Sequence, residues 1–316
     1  MAIVRKARRL LKGTAVEWQT QEISLLSSAL AYSTVFSLAP LMILVILVMG
    51  SIFGEATARE QIVSQLAELM GEEGAELMAT AITNLRQQTG EGPWQLVLNL
   101  GFFVFGVSNV FARIQNSLDR IWEVKPNPRR QMLHFVRKRL LSVAMILAII
   151  FLLLVSSVLS TLLAAMVVNL NDWVPGLGHL WQGLSGLISF GVISAVFAAM
   201  YTILPDADIH WQDTLMGAMI TALLFLLGQE LFGLFLNWVD IGSAYGVAGS
   251  FLVVITWVFY AAQILFSGAA FTKVYARRHG EPITPSDFAV STADQESKTS
   301  QARNRARNQT RDRTGD

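Results

Sequence analysis

The chain has 316 residues, 53% of them hydrophobic and only 15% charged, with a net charge of +1 and no cysteine. That balance belongs to a membrane bundle and excludes an ordinary soluble domain. Lacking cysteine, the chain has no disulfide, no thiol nucleophile and no Cys-ligated metal.

Residues 1–24 form a basic segment carrying Arg5, Lys6, Arg8, Arg9 and Lys12. The run after it, Leu25 to Phe53, holds 29 residues without a charged side chain. A hydrocarbon core of ~30 Å needs about 20 helical residues, so this run spans the bilayer with some tilt. It is too long for the apolar stretch of a cleavable signal and reads as a retained first span. Pro40 removes an amide donor and kinks it. Residues 55–92 then carry two basic residues against seven acids and form an outside segment of two short amphipathic helices broken at Gly71–Gly74. Their apolar faces, with Ile62, Leu66 and Leu69 in the first, suit a cap over the bundle, a membrane surface or a periplasmic partner.

Further spans follow at 94–111, 140–169, 181–204, 214–238 and 247–272, the second continuing as a helix through Trp122. Since backbone groups in lipid must be satisfied internally, each is a helix. In the fourth, Ser185 with Ser189, Gly191 with Ala195, and Ala195 with Ala199 sit four apart, a pattern that suits close helix packing or an oligomer contact. The segment 112–139 holds eight Lys and Arg, and the tail from Lys273 holds nine, whereas the loops at 171–180 and 239–246 hold none. By the positive-inside rule both termini and the 112–139 segment are cytoplasmic. The expected fold is all-α: a polytopic membrane protein of six transmembrane helices over 25–272, followed by a cytoplasmic tail at 273–316. From Ser286 onward that tail is polar enough to be disordered, and its arginines from Arg303 to Arg313 read as solvated rather than as a nucleic-acid site.

Polar side chains inside lipid are costly, so their placement directs the search for a site. In the sixth span Thr256, Tyr260, Gln263 and Ser267 fall on one stripe, which serves either as helix contact or as the lining of a wet cavity. Glu230 is the one acid well inside an apolar run. It is either a binding or coupling group, or a carboxyl held neutral by the sixth span. The second span and its extension carry a polar face through Asn99, Asn109, Arg113, Asn116, Arg120 and Glu123. Docking against neighbouring helices or an inner vestibule for an anionic group would each use it. Thus Glu230, Thr256, Tyr260, Gln263, Ser267, Asn109, Arg113 and Arg120 are the candidate transport-path or helix-interface residues.

Four stretches, SALAYSTVFSLAPL from Ser28, VFARIQNSLDRIWEV from Val110, YTILPDADIHWQDTLMGA from Tyr201 and AYGVAGSFLVVITWVFY from Ala244, together resemble the YihY/BrkB family of bacterial inner-membrane proteins. That family was formerly mislabelled ribonuclease BN. The resemblance covers residues 10–280 and implies a six-span, multi-pass inner-membrane protein, transporter-like and connected with envelope or lipid homeostasis. One departure stands out: where members often carry a GAE motif in the last span, Gly268 and Ala269 are followed here by Ala270.

A nuclease would need His and carboxylate ligands converging on metal ions. His134, His179, His210 and His279 lie on separate segments, and Asp206, Asp208 and His210 form the one ligand-like cluster. The expectation is therefore a non-enzyme without cofactor or catalytic metal, and the family resemblance implies that it moves a lipid or small solute. The alternative is a non-transporting scaffold for envelope assembly. Expected partners are membrane lipids, a second copy of the chain, or a periplasmic protein at 55–92, with no specific nucleic acid.

Overall fold

The computed structural model describes residues 2–34, 109–126, 177–238, 247–279, 283–286 and 289–292, with isolated positions between 140 and 152. The Pro40 kink, the 55–92 segment, most of the first three expected spans and the tail beyond 292 lie outside the described residues.

The basic leader is helical. Ala2–Thr20 forms helix α1, built from strong helix formers such as Ala, Leu, Arg and Lys. It ends where Glu22 adopts a left-handed φ of 52°, and the chain turns into α2, described over 23–34. Ile23, Ser27, Leu30 and Ala31 line the buried face of α2. The Ser27 hydroxyl donates to the Ile23 carbonyl one turn back (2.8 Å), which satisfies a buried polar group within its own helix. Helix α3, described over 109–121, buries Ile114, Leu118, Ile121 and the adjoining Trp122. It stops at Glu123, the second non-glycine residue with positive φ (59°) among those described.

Three longer helices follow: α4 (Leu177–Ile203), α5 (Trp211–Trp238) and α6 (Val247–His279). All three are long and apolar enough to cross a membrane, and even the shortest, at 27 residues, extends about 40 Å. The expected fourth to sixth spans therefore exist as helices, the last running seven residues past its expected end at 272. α5 packs between α4 and α6, and α1 packs on α6. On α5, Leu223, Leu227, Leu231 and Leu234 form an exposed row, as expected of a flank bathed in lipid rather than water.

The α5–α6 seam is built from two matching GxxxT steps. An added Cβ at Gly217 would sit 1.8 Å from the Thr272 hydroxyl, and one at Gly268 would sit 1.9 Å from the Thr221 hydroxyl. Only glycine admits this approach. Each threonine donates to the glycine carbonyl four residues earlier in its own helix, at 2.7 Å for Thr221 and 2.8 Å for Thr272. Tyr201 of α4 closes the seam: fully buried, it donates to the Leu265 carbonyl (2.6 Å) and lies 3.0 Å from the Thr221 hydroxyl. Trp122 meets it edge-on at 5.9 Å and donates its indole N–H to the Ala269 carbonyl (3.3 Å).

Of the two uses expected for the small residues of α4, packing inside this bundle is not the one Gly191 and Ala195 serve. Gly191 and Ala195 are exposed, and nothing comes within 4 Å of a Cβ added at Gly191. The side of α4 facing the bundle carries Ser194, Phe197, Met200 and Tyr201 instead.

Four short strands modify the all-helical expectation. β1 (Val124–Pro126) pairs antiparallel with β4 (Ala289–Ser291), and β2 (Ala207–Asp208) with β3 (Thr284–Pro285). Thr292 donates both its N–H (3.0 Å) and its hydroxyl (2.9 Å) to the Glu123 carbonyl. The start of the tail, expected to be disordered from Ser286, is thus fastened to the bundle as far as Thr292.

Candidate functional site

Where the strands gather, α1, α3 and α6 meet around one buried ammonium. Lys273 is almost wholly buried, at 2% side-chain exposure. Its Nζ donates to Glu17 Oε1 of α1 and to Glu123 Oε1 at the end of α3 (2.9 Å). Arg277, one turn on, donates Nη2–H to Glu123 Oε2 (3.1 Å) and lies 3.8 Å from Glu17 Oε2. Two cations and two carboxylates balance, so the buried charge is paired on both sides. Burial pushes the Glu123 carboxyl up, but Lys273 and Arg277 outweigh it and hold the group below its ordinary value of 4.5. The left-handed turn at Glu123 ends α3 and aims that carboxylate at α6.

Beside this network lies an open cleft of about 440 Å³, lined by Gln21, Asn116, Asp119, Arg120, Glu123 and Lys125. Its walls come from the α1–α2 corner, the polar face of α3 and β1, with Thr292 completing the rim.

The sequence-derived residues divide among three places. Asn109, Arg113, Asn116 and Arg120 are exposed on one face of α3, as their spacing requires. From that face Arg113 Nε donates to Ser33 Oγ of α2 (3.3 Å), and Arg120 Nη2 pairs with Glu22 Oε2 at the corner that opens α2 (2.7 Å). On α6, Gln263 Nε2 donates to Ser24 Oγ of α2 (3.4 Å). Tyr260 packs over Gly228 of α5 and stacks near Phe232 with ring centroids 6.3 Å apart. Ser267 is half-buried and Thr256 exposed. Glu230 stands apart from all of these, exposed among the leucines of α5, with no ion pair or hydrogen bond among the described residues. The structure thus gathers Arg113, Arg120 and Gln263 around α2 and does not bring Glu230 to them.

The Asp206–His210 loop is a structural joint. Asp206 is buried, its N–H donating to Asp119 Oδ1 (2.8 Å) and its carbonyl accepting from Ser286 N–H (3.0 Å). The His210 carbonyl accepts from Asp213 (3.0 Å) and Thr214 (3.1 Å) at the start of α5. Among the described residues no three His, Asp or Glu side chains are grouped as metal ligands.

Sequence reasoning missed Lys273, Glu17 and Arg277. One signal was present: Glu17 is the only acid before position 22, in a segment otherwise rich in cations. Nothing local links it to a lysine 256 residues later.

A family model described as Virulence factor BrkB matches residues 14–290. Among curated relatives, a UPF0761 membrane protein of Photobacterium profundum is 22% identical over 295 residues, covering 89% of this chain and 88% of that protein. Another, of Pseudoalteromonas translucida, is 22% identical and covers 79% of this chain and 80% of its own. The match to a UPF0761 membrane protein of Pseudomonas paraeruginosa is 24% identical over 77% of this chain, which spans 57% of that longer relative. No solved structure matches the chain.

Proposed function

The chain belongs to the family of the virulence factor BrkB, a family of membrane proteins, and from that premise we propose that it moves a lipid or small solute across the bacterial inner membrane. On this reading it has six spans, with both termini and the 112–139 segment on the cytoplasmic side. The observation that carries the reading is the cleft beside Lys273. It opens where the basic segments converge, and its wall sets Lys125 and the Glu22-paired Arg120 beside Asp119 and Glu123, a mixed-charge lining suited to a polar headgroup or solute. Glu230 supports it in a second way. A carboxyl at mid-bilayer costs about 2.5–3.5 kcal/mol on insertion scales, so such residues are retained where they serve function.

A second reading, a membrane scaffold without transport, is favoured by the uptake of Gln263 and Tyr260 into contacts with α2 and α5. The absence of native cysteine makes the two separable. Single cysteines at Thr256, Tyr260 and Gln263, with Asn116→Cys in the cleft as a reactive control, are probed with an impermeant thiol reagent in cells and inverted vesicles. Labelling along the stripe is the expected result and requires a water-filled path. A stripe silent from both sides, with the control reacting, sinks transport and leaves the scaffold.

A further inference from the structure

We propose that α1 is an interfacial helix that binds the anionic headgroups of the membrane leaflet along its outer side. The inference is independent of whether the chain transports anything.

Three sides of α1 carry three chemistries. The inner side is clamped to the end of α6. A Cβ added at Gly13 would meet Val274 Cγ1 at 2.9 Å, Glu17 binds Lys273, and Arg278 donates to the Arg9 carbonyl (2.8 Å). Next to it runs an apolar row, Ala7, Leu11 and Ala15, four residues apart and all exposed, with half-buried Trp18 below. Leu11 is 68% exposed, an odd placement for water but not for the acyl boundary. Beyond that row lie Arg5, Arg8, Arg9 and Lys12, all exposed and without an ion pair among the described residues.

Its clamp sets the depth of α1. The apolar stretch of α6 runs from Leu252 to Arg278, and Glu17, Gly13 and Arg9 of α1 meet its last turns. At its other end the Glu22 corner sends α2 off as the start of the first apolar run. A helix fixed at this level, with an exposed apolar row flanked by four cations, matches a negatively charged lipid surface in both charge and depth.

The test uses the full chain in lipid nanodiscs, with Leu11→Cys carrying an environment-sensitive fluorophore. Leu223→Cys on the leucine flank of α5 serves as the lipid-buried standard. In discs containing phosphatidylglycerol the Leu11 probe is expected to shift to the blue and resist an aqueous quencher, and high salt should weaken both effects. Replacing Arg5, Arg8, Arg9 and Lys12 with Gln leaves the clamp to α6 untouched and should cut the preference for phosphatidylglycerol over phosphatidylcholine about tenfold or more. An aqueous probe in both lipids overturns the proposal. So does equal burial in both lipids that survives neutralisation, which would mean apolar insertion alone. A probe moved by added RNA but not by phosphatidylglycerol would assign the face to nucleic acid and overturn it as well.

Discussion

Thr272 and Lys273 adjoin in sequence yet belong to regions held by opposite physics. Thr272 lies in a close-packed seam where two glycines admit two threonines, and each threonine hydroxyl is satisfied within its own helix. Lys273 lies in a junction where three separated segments meet through charge. The seam tolerates almost no change in volume, and the junction almost none in charge. Lipid favours the first, because apolar burial drives no association there and close packing must. The second belongs where a helix leaves the apolar layer and its ions can be paired rather than merely desolvated.

The sharpest way to break the contrast is Gly268→Leu. Its side chain would have to displace both Thr221 and Tyr201, the latter fully buried. The expected cost is about 3 kcal/mol or more, seen as loss of a monodisperse peak in detergent. Lys273→Met comes next. It keeps the volume but leaves the mostly buried Glu17 with only Arg277 at 3.8 Å, and should cost about 3 kcal/mol in thermal unfolding. Adding Glu17→Gln to that variant should recover part of the loss, whereas the same glutamine alone should not stabilise. If Lys273→Met melts like the parent chain, the junction is not held by charge.

The smallest effect is a pH dependence. The Glu123 carboxyl is depressed in the folded chain, so its stabilisation is complete above its ordinary value of 4.5 and lost as pH falls through the folded value below it. The Tm of the parent chain should therefore drop in that acid range more steeply than that of Glu123→Gln. Parallel acid limbs would remove Glu123 from the account. At neutral pH the same substitution should cost only modestly, since the side chain is half exposed.

How much of this was legible beforehand follows the same divide. Hydropathy located α4, α5 and the start of α6 within a few residues, because a span announces itself locally by length and lack of charge, but not the charged turns of α6 beyond 272. Spacing also placed Asn109, Arg113, Asn116 and Arg120 on one face. Small residues announce a close approach but not which side of the helix meets a partner. The pairs in α4 drew attention, while the GxxxT steps at Gly217 and Gly268 made the seam. The junction was hidden more deeply, because Glu17, Glu123 and Lys273 pair only after the whole bundle has folded. The basic leader concealed a helix because its charges mark a side of the membrane and say nothing of the contact Gly13 makes with Val274.

That junction also carries a consequence for biosynthesis. Glu17 and Glu123 emerge from the ribosome well before Lys273, and β4, which fastens the Glu123 turn, comes later still. A nascent chain halted before the end of α6 has two carboxylates awaiting their ammonium and an α3 terminus without its strand. Completion of the sixth helix closes the Lys273 contacts, and β4 then fastens the Glu123 turn, so the locking of α1 onto the bundle waits for segments made long after it.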